Sequence, residues 1–84
     1  MYFVYILYSV ELDRYYIGST ENVEERLKKH LANHAGFTGK TKDWQIKYTE
    51  VFSEKIFALK REKQLKGWKN RTRIEELIKK DFSG

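Results

Sequence analysis

The hydrophobic positions first predict a β-hairpin at the start of the chain. Residues 2–9, YFVYILYS, are apolar on both alternating faces, which is typical of a strand at the centre of a sheet. Residues 11–14 are polar and form a turn, and residues 15–18, YYIG, return as the antiparallel partner. Tyr5 and Tyr16 then lie near each other, on one face if the register allows.

A helix follows directly after this hairpin. Val23, Leu27 and Leu31 recur at four-residue spacing, which predicts the buried side of a helix that ends at about Ala32. Asn22, followed three residues later by a glutamate, is an N-terminal capping signature. The chain therefore passes from a sheet into a helix within a few residues.

The middle of the chain predicts a loop and a third strand. Residues 33–44 contain two glycines and show no periodicity, as expected for a loop. Over residues 44–52, WQIKYTEVF, Ile46 and Tyr48 alternate with more polar neighbours. This alternation predicts a strand with Ile46 and Tyr48 on the same face.

Two further helices complete the pattern. Ser53 is the predicted N-cap of a helix over residues 54–67, which ends at its glycine. Asn70 or Thr72 opens a last helix that runs to about Lys80. The predicted order is β-β-α-β-α-α, and a length of 84 residues indicates one domain with one modest core.

The composition excludes several classes of protein. The chain has no cysteine, which excludes disulfides and thiolate metal sites and is compatible with a reducing cytoplasm. It has no apolar run of about 18 residues. Residues 1–10 alternate in polarity and lack a basic leader, so we expect neither a signal peptide nor a membrane partner.

The net charge of +5 is concentrated in the C-terminal part of the chain. Residues 1–54 carry a net charge of −1, whereas residues 55–84 carry +6. Such a basic block suggests a polyanionic partner, nucleic acid first and a membrane surface second. A lysine-rich solvated surface gives the same count, so charge alone does not decide between these interpretations.

Arg26 and His30 are the first candidates for chemistry. They are four residues apart and therefore share one face of the first predicted helix, beside the strand end that carries Tyr16. An arginine on a helix rim is commonly a solvated charge, and a histidine is commonly hydrogen-bonded scaffolding. Spacing alone leaves these interpretations open beside a catalytic one.

Glu62 is the second candidate because it lies on the inward side of its predicted helix. At 100° per residue it falls in the same narrow arc as Ala58 and Leu65. A carboxylate that points inward is costly unless something compensates its charge. The compensation is either a bound cation or a salt bridge to Arg26 or Arg61.

These residues together resemble a known family. In chain order they are Tyr5, the segment Tyr16-Ile17-Gly18, Arg26, His30 and Glu62. This constellation is similar to the GIY-YIG nuclease domain over nearly the whole chain, and the segments GFTGKT and REKQLKGW make it most similar to small stand-alone members of that family. The resemblance implies an α+β fold in which a three-stranded antiparallel sheet is flanked by helices. It also implies hydrolysis of DNA phosphodiesters with one divalent cation, Mg²⁺ or Mn²⁺.

The resemblance also implies a role for each residue. Tyr5 and Tyr16 take the positions of the two family tyrosines, one of which orients or activates the attacking water, and we do not choose between them here. Arg26 takes the position of the arginine that contacts the scissile phosphate. His30 lies where relatives carry a residue that assists proton transfer or phosphate contact, and Glu62 lies where they carry the metal-binding glutamate.

DNA is the partner that the resemblance and the basic C-terminal part imply. The polar and basic residues expected to contact it are Ser19, Thr38, Lys40, Lys66, Lys69 and Arg71. A bacterial cytoplasmic location is the expectation that follows from the same resemblance.

The chain also departs from the family pattern. Phe3 and Val4 stand where the first motif has Gly-Ile, and Ser19 stands where several relatives have a lysine. The asparagine that some members carry after the glutamate has Asn70 as its only candidate. A catalytically weak or inactive nucleic-acid-binding module is therefore an alternative to the endonuclease. Trp68 would offer this module a stacking surface, although for Trp44 and Trp68 a place in the core is the favoured interpretation. A protein-interaction domain is the third hypothesis.

Overall fold

The structure, a computed structural model, describes residues 1–32 and 41–83, with side chains described as far as residue 80. Three strands form one antiparallel sheet and three helices pack against it, which confirms the expected α+β class and element order. The elements are β1 Tyr2–Ser9, β2 Arg14–Thr20, α1 Val23–Ala32, β3 Gln45–Phe52, α2 Lys55–Trp68 and α3 Arg71–Ser83. Within these described ranges, no helix has the length and apolar composition needed to cross a membrane.

Strand β1 lies at the centre of the sheet, between β2 and β3. Its two apolar faces supply two separate parts of the core. Val4 and Ile6 pack with residues of α2 and α3, whereas Tyr5 and Leu7 pack with residues of α1 on the opposite face. Helix α1 therefore covers one face of the sheet, and helices α2 and α3 cover the other. Strand β2 is one of the two edge strands.

Strand β3 contains a β-bulge that the sequence pattern did not predict. Ile6 pairs with Tyr48, but the next residue of β1, Leu7, pairs with Ile46, so that Lys47 has no partner in the ladder. One extra residue reverses the alternation of side chains. Ile46 consequently packs on the Leu7 side and Tyr48 on the Ile6 side, and the prediction that they share a face is wrong.

Helices α1 and α3 begin at side-chain caps. The Asn22 Oδ1 atom accepts a hydrogen bond of 3.0 Å from the backbone N–H of Glu25, which confirms the predicted cap of α1. The Asn70 Oδ1 atom accepts one of 3.0 Å from the N–H of Thr72. Asn70, rather than Thr72, is therefore the residue that opens the last helix.

Helix α2 is displaced by one residue from its prediction at each end. Its N-cap is Glu54, which has extended backbone angles and makes no side-chain cap bond, so the prediction that Ser53 caps this helix is wrong. The helix continues past Gly67 and ends at Trp68, because Lys69 takes the left-handed conformation with φ of 49°. Trp68 packs against the core, and this packing extends the helix beyond its glycine.

Buried tyrosines predict a loss of stability at alkaline pH. Desolvation by burial is the main cause that raises the pKa of Tyr5, Tyr15 and Tyr48 to about 12. A raised folded-state pKa gives stability that is fully present below the unfolded-state pKa of about 10 and is lost as the pH rises toward about 12. We expect the urea midpoint, followed by circular dichroism, to fall steeply over this interval, and to fall less steeply in Tyr48→Phe. A wild-type midpoint that is constant there would contradict this assignment.

Candidate active site

The side chain of Tyr5 crosses strand β2 at Gly18. These two residues are direct partners in the β1–β2 ladder, and a Cβ atom on Gly18 would lie 2.5 Å from the Tyr5 hydroxyl oxygen and 2.6 Å from its Cζ atom. Only glycine leaves room for the ring at this position. The Tyr5 hydroxyl thereby reaches helix α1, where it makes a hydrogen bond of 3.0 Å with the Nε2 atom of His30.

Tyr16 joins this pair on the same face of the sheet. Its ring centroid lies 6.4 Å from that of Tyr5 and 4.8 Å from that of His30, in an edge-to-face arrangement with the imidazole. This geometry confirms that Tyr5 and Tyr16 share a face. Tyr5 is 1% exposed, whereas Tyr16 is only partly buried, so Tyr16 is the phenol that solvent reaches more readily.

Arg26 places a cation beside the two phenols. It lies one helical turn before His30 on α1 and its side chain is exposed. The pKa of Arg26 is raised, chiefly by its polar interaction with the Tyr5 hydroxyl and to a lesser degree by Tyr16. The guanidinium is thus held against the phenols while it faces solvent.

The proton positions in this cluster follow from the electrostatics. Burial, and then the nearby Arg26 charge, lower the pKa of His30, so its imidazole is neutral at neutral pH. Burial raises the pKa of Tyr5 to about 12 even though Arg26 opposes this shift, so Tyr5 remains a phenol. Because the Tyr5 oxygen faces the Arg26 cation, we assign its O–H as the donor and His30 Nε2 as the acceptor.

Glu62 approaches the same strand from the opposite face. Its Oε1 atom accepts a hydrogen bond of 2.5 Å from the Ser19 hydroxyl, and its Oε2 atom lies 2.6 Å from the Nζ atom of Lys66. The Glu62 side chain is 19% exposed, which agrees with its predicted place on the inward side of α2. Both carboxylate oxygens therefore have polar partners, yet the group remains in contact with solvent.

The predicted salt-bridge partners of Glu62 are wrong. Among the described residues, the cation that pairs with it is Lys66, which lies one turn further along α2. Arg61 instead binds Glu50 on β3, with an Nη2–Oε2 distance of 3.1 Å. A residue next to Glu62 in sequence points about 100° away around the helix, so Arg61 reaches β3 while Glu62 reaches β2.

Arg26 and Glu62 approach β2 from opposite faces. Gly18 and Ser19 are successive residues of this strand, and successive side-chain positions point to opposite faces. Tyr5 passes over Gly18 toward Arg26, while Ser19 holds Glu62 on the other face. The Tyr5 hydroxyl senses both groups, because Arg26 lowers its pKa and the charge of Glu62 raises it.

A comparison with protein families decides what kind of domain this is. The family model described as the GIY-YIG catalytic domain matches residues 1–76 of the chain. The chain belongs to the GIY-YIG family. Domains of this family are generally nucleases, and a nuclease acts on nucleic acid. Searches of curated proteins and of solved structures return no match.

GIY-YIG nucleases typically use divalent metal ions, and the Glu62 carboxylate is the candidate ligand for such an ion. In the part of the chain that the structure describes, no group of three or more His, Cys, Asp or Glu residues surrounds a common point. Mg²⁺ keeps several waters and needs only one or two carboxylates together with substrate phosphates. The Glu62 carboxylate, partly open to solvent and already against the Lys66 ammonium, fits this requirement.

A groove of about 730 Å³ lies between β2 and helices α2 and α3 of the GIY-YIG domain. Its lining includes Tyr16 and Lys66, the neighbour of Glu62. Lys69, exposed at the left-handed end of α2, lines its rim. The groove is lined by the cations Lys66 and Lys69 and by the apolar side chain of Leu65. Positive charge of this kind suits a phosphate backbone.

Arg71 also lines the groove, but its guanidinium is engaged in ion pairs. Its Nη2 atom lies 2.5 Å from Asp13 Oδ1 in the hairpin turn, and its Nε atom lies 3.3 Å from Glu75. These contacts tie α3 to the hairpin. Asn70, the candidate for the family asparagine, is used as the cap of α3.

The predicted contacts Thr38 and Lys40 lie outside the described residues. Thr41, at the end of the same segment, is buried and its hydroxyl donates to Glu11 at 2.5 Å. The Ser9 hydroxyl donates to Asp43 at 2.5 Å. These bonds attach the start of the segment 41–44 to the end of β1.

Proposed function

We propose that this GIY-YIG domain is a divalent-metal-dependent endonuclease that hydrolyses DNA phosphodiesters with low sequence specificity. The observation that carries the proposal is that the Tyr5 hydroxyl, which crosses β2 at Gly18, lies within range of the charges of both Arg26 and Glu62. A cation and a carboxylate on either side of a pair of phenols suit a reaction in which a phosphodiester gains negative charge. The absence of cysteine suits a bacterial cytoplasm as its location.

Arg26 binds the scissile phosphate in this proposal. Its exposed guanidinium has a planar set of donors that match two phosphate oxygens at once, and charge-assisted bonds of this kind strengthen as negative charge develops. The polar interaction with Tyr5 and Tyr16 fixes the side chain before the substrate arrives. Less reorganisation is then needed at the moment of reaction.

Glu62 holds the divalent ion, and Ser19 orients the carboxylate through its bond to Oε1. When bound, the ion supplies positive charge that stabilises the leaving oxygen of the phosphodiester. The proposed protein contacts are all to phosphate oxygens, which carry no sequence information. Low sequence specificity follows from this set of contacts.

Tyr16 orients the attacking water, and Tyr5 positions the site. Tyr5 is buried, has a pKa raised to about 12 and is bonded to His30, so it is a poor base. Tyr16 is more accessible and lies against the neutral imidazole. His30 positions both phenols, because its Nε2 atom accepts from Tyr5 while its ring packs against that of Tyr16.

The two tyrosines should respond differently to loss of their hydroxyls. We expect Tyr16→Phe to lower the cleavage rate by about a hundredfold or more and to leave the urea midpoint almost unchanged. Tyr5→Phe leaves the Nε2 atom of buried His30 without its partner, which should lower the free energy of unfolding by about 1–3 kcal/mol. The reverse pattern, with the larger loss of rate in Tyr5→Phe at full stability, would assign the water to Tyr5.

The metal requirement is the direct test of the proposed function. Supercoiled plasmid is incubated with the purified chain in Mg²⁺, in Mn²⁺ or in EDTA, and nicking is followed on a gel. We expect nicking that EDTA abolishes and that Glu62→Gln lowers by about a hundredfold or more. Glu76→Gln, an exposed acid on α3, is the matched control and should keep wild-type activity.

The second candidate, a nucleic-acid-binding module that does not cut, is favoured by one observation. Both oxygens of Glu62 already have partners in Ser19 and Lys66. Tight, salt-sensitive DNA binding with no nicking in either metal would establish this module and refute the endonuclease.

A further inference from the structure

Lys66 occupies the position next to Glu62 that the divalent ion would take. We propose that Lys66 is a tethered cation that holds the Glu62 carboxylate before the ion binds, and that it then moves to a DNA phosphate in the adjacent groove. This inference rests on the proposed function. It assigns to Lys66 the role of coupling metal binding to DNA binding.

The contact distances indicate which of the two groups moves. The Lys66 Nζ atom lies 2.6 Å from Oε2 of Glu62, and Ser19 fixes Oε1 at 2.5 Å. The lysine side chain is 51% exposed, whereas that of Glu62 is 19% exposed. The Glu62 carboxylate is therefore bound to β2 through Ser19. Among the residues that the structure describes, the Lys66 ammonium is held by this one contact, and its side chain is partly in solvent.

An ordinary ion pair four residues apart on a helix does not have this arrangement. Such pairs lie on the solvated side of the helix, where each partner is free to change rotamer. Here the acid lies on the inward side and is also bonded to another strand. Lys66 thus compensates a carboxylate that cannot turn away from it.

A divalent ion and an ammonium group cannot share one carboxylate oxygen without strong repulsion. Binding of the ion at Oε2 therefore displaces the Lys66 ammonium, which has a flexible four-carbon stem. Lys66 also lines the groove beside Lys69. The displaced ammonium therefore enters the groove in which we propose that the DNA backbone lies, and a phosphate there replaces Glu62 as its counter-charge.

This exchange makes metal and DNA binding cooperative. The ion strengthens DNA binding because it releases a cation toward the phosphates, and DNA strengthens ion binding because it keeps that cation away from Glu62. Linkage requires that the two effects have the same magnitude. Replacement of Lys66 by an uncharged residue should therefore reduce the cooperativity between metal binding and DNA binding.

The first measurement is Mg²⁺ binding without DNA, by titration of the ¹⁵N-labelled chain followed by NMR. We expect Lys66→Met to bind Mg²⁺ about three- to tenfold more tightly than wild type, because the competing cation is gone. Lys63→Met, an exposed lysine on the same helix, is the matched control and should keep the wild-type affinity. Glu62→Gln should not bind.

The second measurement is DNA binding by fluorescence anisotropy, with EDTA or with Ca²⁺ as the probe ion. In wild type we expect Ca²⁺ to strengthen binding, and in Lys66→Met we expect this gain to fall about threefold or more. Unchanged Mg²⁺ affinity and an unchanged Ca²⁺ gain in Lys66→Met, with wild type still binding the ion at Glu62, would overturn the role of Lys66 and leave the endonuclease intact. Absence of Mg²⁺ binding in every form would overturn the role of Lys66, and plasmid nicking that persists in EDTA would overturn the metal-dependent endonuclease as well.

Discussion

Replacement of Arg26 by alanine should lower the rate of DNA cleavage by about a thousandfold or more, because loss of one preorganised charge donor typically costs 10²–10³ and this one also orients the phenols. The free energy of unfolding should change by less than about 0.5 kcal/mol, since the side chain is exposed. Single-turnover cleavage of plasmid and urea denaturation measure the two quantities. The contrast between them is the signature of a residue that acts on the substrate.

Arg26→Lys separates charge from geometry. A lysine keeps the positive charge but loses the planar pair of donors, so we expect it to recover only a small part of the lost rate. Lys28→Ala, an exposed position on the same helix, is the matched control and should cut at the wild-type rate. Wild-type cleavage by Arg26→Ala would remove this residue from the reaction.

Gly18→Ala should strongly destabilise the fold. The new Cβ atom would lie 2.5 Å from the Tyr5 hydroxyl oxygen, and the ring is rigid and 1% exposed. The Tyr5 ring must therefore shift, and its hydroxyl loses the hydrogen bond to His30. Overpacking and a lost buried bond together should lower the free energy of unfolding by about 2–4 kcal/mol, and cleavage should fall with them.

Gly67→Ala is the matched control for this prediction. Gly67 lies inside α2, and among the described residues no atom beyond its chain neighbours and its own helix backbone lies within 4 Å of the position that its Cβ would take. Alanine is favoured over glycine in a helix by about 0.5–1 kcal/mol, so this variant should be more stable than wild type. If Gly18→Ala were as stable as wild type in urea denaturation, Tyr5 could not cross β2 at that position.

The parts of the fold that could be predicted are those with a local cause. The two apolar faces of residues 2–9 predict the central strand, and Asn22 predicts the start of α1 through a bond within its own turn. The inward position of Glu62 follows from helical periodicity alone. In each case the deciding interaction lies within a few residues or on one face of one element.

The parts that could not be predicted depend on contacts between distant residues. The bulge at Lys47 is set by packing against β1 on both faces, and the extension of α2 to Trp68 is set by the core. The partner of Glu62 was also missed. The four-residue spacing to Lys66 was a signal for it, whereas the bond from Ser19 depends on which face of β2 meets α2.

The family resemblance supplied what periodicity could not. Spacing alone left Arg26 and His30 open to a structural interpretation. The family match over residues 1–76 shows the kind of domain, and the catalytic roles of the two residues are our proposal. The structure adds a physical reason for the glycine of the YIG segment in this chain, because the Tyr5 ring occupies the space where its side chain would be. It also separates a buried phenol from an accessible one.

The measurement that tests the central claim most directly is single-turnover plasmid cleavage by Arg26→Ala, Glu62→Gln and the double variant. Residues that act as a unit on one phosphodiester have strongly non-additive effects. We therefore expect each single variant to lose most of the activity and the double variant to lose less than about tenfold more. A double variant whose loss of rate equals the product of the two single losses would contradict a shared site at the edge of β2. Wild-type cleavage by either single variant would contradict it as well.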